Sequence, residues 1–88
     1  MSQRYLQVTY EDGRALAAYL QFPREVGAKS VRVEQAGAGI LIDYSASGKP
    51  IGVEITAPTA TSLAAVNSVL RAIGERPMTK AEWDKFAA

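Results

Sequence analysis

The chain has 88 residues, with ten Lys and Arg against nine Asp and Glu, and it contains no Cys and no His. That length predicts one domain, and a net charge of +1 implies neither a nucleic-acid nor a membrane partner. The two missing residue types exclude disulfides, thiolate and imidazole nucleophiles, and Cys- or His-ligated metals, leaving carboxylate, Lys, Arg, Tyr or Ser chemistry or an all-oxygen metal site.

The first residues, Met1 to Tyr5, hold no apolar targeting segment and no run approaches a membrane span, so a soluble, cytoplasmic protein is expected. Residues 4–10 alternate Leu6, Val8 and Tyr10 against Tyr5, Gln7 and Thr9, the period of a half-buried strand. Asp12-Gly13 then marks a tight turn, and a two-residue loop pairs Tyr10 with Ala15, Val8 with Ala17 and Leu6 with Tyr19. Residues 14–19 also fit a helical face through Leu16, Tyr19 and Leu20, but their short length and the turn and proline around them argue for a strand. Residues 30–35 alternate Val31 and Val33 with Arg32 and Glu34, as an edge strand protected by charge does.

Residues 40–55 are the clearest element, two β-branched apolar runs around Ser45-Ala46-Ser47-Gly48, and they predict a hairpin. If Ser45 pairs with Lys49, then Leu41, Asp43, Ile51, Val53 and Ile55 share one face, and Ile40, Ile42, Tyr44, Pro50, Gly52 and Glu54 share the other. Both faces are then largely apolar, which calls for cover on each side, from the same monomer or from a second subunit. On this register Asp43 and Glu54 point apart and cannot form a close acid/base pair, and Gly52 makes room for the Tyr44 ring.

After Pro58 the period changes to that of a helix over 61–73, with Leu63, Val66, Val69, Leu70 and Ile73 on one face and Ser62, Asn67, Ser68 and Arg71 on the other. Thr59 or Thr61 can cap its start, and Gly74 suits a left-handed stop. Thr79-Lys80-Ala81-Glu82 matches a capping box, opening a short terminal helix with Trp83 and Phe86 that either dock on the monomer or reach a partner. The fold class is therefore α+β: a single domain over 1–88, with an approximately five-stranded, mainly antiparallel sheet of hairpins in 1–57 covered by the helical part, 58–88.

Thr9-Tyr10-Glu11, Ala18 to Phe22, and above all Ile40 to Tyr44 followed by Gly48 to Ile55 resemble the small bacterial proteins grouped as domain of unknown function 2283, over roughly residues 6–57. The helix carrying Leu63, Val66 and Leu70, with Gly74, Pro77, Met78 and Thr79 after it, resembles a C-terminal extension of that family. Ser45 and Ser47 depart from the acidic turn usual there, and residues 15–18 are richer in alanine. The resemblance implies a small α+β domain with no assigned catalytic residue, and an antitoxin-like or partner-binding role, since some relatives stand beside toxin-like genes.

The function expected is binding rather than catalysis, by a homodimer with Ile40, Ile42, Tyr44, Trp83 and Phe86 as its contacts. No catalytic, cofactor or metal site is expected: the glycines form no phosphate loop, and no spaced acidic loop for Ca²⁺ or Mg²⁺ is present. A toxin-like protein is the more specific partner. The alternative is a small-molecule or weakly catalytic pocket between sheet and helix, lined by tyrosine and Asp43.

Overall fold

The computed structural model describes residues 4–23 and 26–87, with the side chains of 85–87 outside the described ones. Five strands, β1 (Tyr5–Glu11), β2 (Arg14–Gln21), β3 (Arg32–Gly37), β4 (Ile40–Tyr44) and β5 (Pro50–Ile55), form one antiparallel sheet in the order β1-β2-β5-β4-β3. It consists of a hairpin, β1–β2, and a meander, β3–β4–β5, joined where β2 pairs with β5. A 3₁₀ turn (Pro58–Ala60) leads into α1 (Leu63–Ala72), and α2 (Lys80–Ala87) ends the fold. The α+β class and the edge position of β3 are as the sequence predicts, and residues 14–21 are strand.

Two bulges change the register. Val8 faces Ala18 and Leu6 faces Leu20, one residue beyond the simple hairpin, because Leu16 has no partner of its own. In the second hairpin Tyr44 still faces Pro50, but Asp43 faces Gly52 and Ile42 faces Val53, so Ile51 is the extra residue. A one-residue slip moves every side chain beyond it to the other face. Ile40 and Ile42 therefore lie with Val53 and Ile55 on one face, while Leu41, Asp43, Gly52 and Glu54 lie on the other. The face assignment read from the sequence is corrected accordingly. One face is apolar and the other mixed, as in a sheet covered on one side.

The apolar face carries the core. Ala18, Leu20, Phe22, Ile40, Ile42, Val53 and Ile55 pack against Val66, Val69 and Leu70 of α1, with Met78 and Trp83 closing the end. Burying side chains of this size stabilises the fold by roughly 1.5 to 3 kcal/mol each before conformational entropy is counted. The cap of α1 is Ser62, whose hydroxyl accepts from Ala65 N–H (3.1 Å), not Thr59 or Thr61; Thr61 instead donates to the Ala57 carbonyl. At the other end Gly74 takes φ +79°, with Glu75 N–H reaching Leu70 C=O (2.8 Å) and Gly74 N–H reaching Arg71 C=O (3.1 Å), a Schellman stop.

Asn67 also departs from expectation. It is buried rather than on the outer face of α1, and its amide donates to Met78 C=O (3.1 Å) and accepts from Met78 N–H (2.8 Å). This pair of bonds fastens the 75–79 segment to α1. The capping box forms as predicted: Glu82 N–H donates to the Thr79 hydroxyl (3.1 Å), and Thr79 N–H donates to the Glu82 carboxylate (2.9 Å). Arg4, whose side chain is only 5% exposed, donates to the carbonyls of Arg76 and Pro77 and lies 3.8 Å from Glu82, tying the start of β1 to α2.

Candidate functional site

The second face of the sheet carries no packed layer among the described residues. Strand alternation places Tyr5, Gln7, Ala17, Tyr19 and Gln21 on it from β1 and β2, and Gly52, Glu54, Leu41, Asp43, Val33 and Gln35 from the meander. Tyr5 and Val33 are more than half exposed (53% and 56%), and Tyr19, Leu41, Asp43 and Glu54 are half-buried among their neighbours. Its internal charges, Asp43 and Glu54, are both acidic. They share this face rather than opposing ones, as a consequence of the bulge at Ile51.

At the centre of the face Tyr19 lies across Gly52 and donates its hydroxyl to Asp43 Oδ2 (2.8 Å). A Cβ built on Gly52 would overlap the Tyr19 hydroxyl and Cζ and stand 2.8 Å from Cε2, so the missing side chain is the space the ring occupies. The expectation that Gly52 accommodates a ring holds in kind, but the ring is Tyr19, not Tyr44. A second tyrosine bond, from the Tyr5 hydroxyl to Gln21 Oε1 (3.0 Å), steadies the outer strand pair.

The residues expected to make contacts lie elsewhere. Ile40 and Ile42 are 1% and 3% exposed in the core, and Trp83 is buried against it, which answers in favour of docking on the monomer. Tyr44 packs on the core margin beneath Arg32, whose guanidinium carbon is 4.1 Å from the ring centroid. The Phe86 side chain lies outside the described residues. Asp43 is on the open face, so it does not line a space between sheet and helix. Tyr19 was missed as a site residue because its facing depends on the β2 bulge, which no residue type in 14–18 announces.

Burial depresses the basicity of the Arg4 guanidinium, with the nearby Arg76 charge adding to the effect. The Glu82 carboxyl is held below its usual range, first by the Thr79 N–H bond and then, against the opposing effect of burial, by the Arg4 charge. Both groups belong to the α2 junction and not to the open face. Among the described residues no three or more carboxylates gather to hold a metal ion, and no helix is long and apolar enough to cross a membrane.

No curated protein and no solved structure matches the chain. The family model for protein of unknown function DUF2283 matches residues 8–57, which is the five-stranded sheet from Val8 in β1 through the end of β5. By that match, the chain belongs to the DUF2283 family.

Proposed function

We propose that the domain is a non-catalytic protein-interaction module of the bacterial cytoplasm that self-associates through the open face of its sheet. The observation that supports this reading is the asymmetry of the sheet, with helices and a closed core on one side and an uncovered mixed surface with half-buried Leu41 and Tyr19 on the other. Five strands about 4.8 Å apart and about 20 Å long present roughly 400 to 500 Å² in projection, short of the ~800 Å² per partner of a standard interface. The association is accordingly weak and reversible. Sedimentation velocity from about 10 μM to about 1 mM should show a monomer–dimer equilibrium. Leu41→Arg and Val33→Arg should abolish it without loss of fold, since both positions face the open side. A monomer at every concentration, or a dimer indifferent to both substitutions, refutes the reading.

One observation favours a second occupant. The charges within the face, Asp43 and Glu54, are acidic, which suits a basic protein such as a toxin-like partner in an antitoxin-like role. Copurification with the product of an adjacent gene tests it, and the complex should be lost in the Asp43→Lys variant.

A further inference from the structure

A cleft of about 380 Å³ opens away from the sheet face, between the loop preceding β3 and the β4–β5 turn. Because β2 and β3 are not neighbours, the connecting chain must pass the ends of β5 and β4. It is fastened there at both sides: Phe22 N–H donates to Ile51 C=O (3.1 Å) and Val31 N–H donates to Tyr44 C=O (2.9 Å). The opposite wall is a closed turn, in which Ser45 N–H donates to Lys49 C=O and Gly48 N–H to Ser45 C=O, both at 2.9 Å. Ile51, the bulge residue, is 1% exposed and stands outside the main core cluster; it is a wall of this cleft.

The lining has a definite chemistry. Among the described residues that line it, Val26, Val31 and Ile51 are apolar, Lys29 and Lys49 bring two ammonium groups, and none is a carboxylate. Neither lysine forms an ion pair among the described residues. Ser45 and Ser47 share one hydrogen bond between their hydroxyls at 2.9 Å, and two hydroxyls have two protons, so one remains to donate outward. In a chain whose charges nearly cancel, this is a local positive site with an apolar wall and a spare donor.

We propose that the cleft binds a small organic anion, its phosphate or carboxylate group held by Lys29, Lys49 and the free serine proton, its apolar body against Val26 and Val31, with buried Ile51 beneath them. The volume falls in the range of small-molecule sites, about 300 to 1,000 Å³. Both lysines are exposed, so the attraction is screened by salt and the affinity is modest.

The test is an amide chemical-shift titration of the full chain with phenyl phosphate, benzoate, inorganic phosphate and benzylamine. At least one aromatic anion should bind with shifts centred on residues 26–31 and 45–51, more tightly than inorganic phosphate, while benzylamine leaves those amides unmoved. Comparing phenyl phosphate with benzoate identifies the acid group. The Lys29→Gln/Lys49→Gln double variant changes two exposed side chains and should fold normally, with affinity reduced about tenfold or more. The proposal is overturned if neither aromatic anion shifts these amides at about 10 mM, if benzylamine or inorganic phosphate binds as well, or if the double variant binds as tightly as the parent.

Discussion

Replacing Gly52 by alanine tests the central claim about the open face. The backbone at Gly52 is outside the left-handed region, so alanine is tolerated there and by itself should stabilise the strand by about 0.5 to 1 kcal/mol through reduced unfolded-state freedom. Its methyl group, however, would occupy the volume of the Tyr19 ring end. Tyr19 is half-buried and can swing outward, so the cost is loss of its bond to Asp43, about 0.5 to 3 kcal/mol, together with part of its ring packing, about 1 kcal/mol. The balance is a net destabilisation of about 1 to 3 kcal/mol. In a domain of this size that lowers Tm by roughly 5 to 15 °C. The Tyr19→Ala background should reverse the sign, because the methyl group then meets no ring, and the double-mutant cycle should show a coupling of about 1.5 kcal/mol or more. Urea unfolding of the four proteins measures each term. If Gly52→Ala costs the same with and without the tyrosine, the steric argument is wrong.

Further outcomes follow from the α2 junction and the open face. Asn67→Ala leaves the Met78 N–H and C=O without their partners and opens space beside α1, and should cost about 2 to 4 kcal/mol, with red-shifted Trp83 fluorescence if the 75–79 segment loosens. For Glu82, the folded carboxyl titrates below its ordinary value of 4.5, so its contribution is fully present above that value and is lost as pH falls through the folded one. Glu82→Gln should therefore flatten the acid limb of stability against pH, and an unchanged limb would remove the capping carboxylate from the account. Leu41→Arg, on the uncovered face, should change monomer stability by no more than about 0.5 kcal/mol in denaturant, whereas Ile42→Arg on the core face should prevent folding.

The elements were legible because each has a local cause: alternation in residues 5–10, the turn at Asp12-Gly13, the 3.6-residue period of α1, Gly74 at its stop, and the reciprocal Thr79–Glu82 cap. The capping error at Ser62 is small in sequence and has the same logic, since three hydroxyl residues stand within four positions and tertiary packing selects among them. Asn67 was not legible, because its burial depends on Met78 returning to α1 eleven residues later.

The bulges matter more, because they decide which surface is available for function. Tyr44 pairs with Pro50 in both the simple register and the structure, and the two diverge only at Ile51, one residue farther on. An apolar residue at 51 fits either a continuous strand or a bulge, and the choice is made by where its side chain can be buried. Ile51 is 1% exposed, stands outside the main core cluster and lines the cleft beside the 26–31 loop. The slip turns Ile40 and Ile42 inward to meet Val53 and Ile55, and it turns Asp43 outward to meet Tyr19 over Gly52. A pattern that reads as two apolar faces is thus one core face, with Leu41 left on the mixed face and Ile51 lining a separate cleft. The same residue therefore accounts for the open mixed face, for the Tyr19–Asp43 bond and for the apolar wall beside Lys29 and Lys49. Deleting Ile51 should therefore leave an uninterrupted ladder with Tyr44 still opposite Pro50 and Asp43 still opposite Gly52, and a backbone NOE pattern that moved Asp43 off Gly52 would refute the assignment of Ile51 as the extra residue.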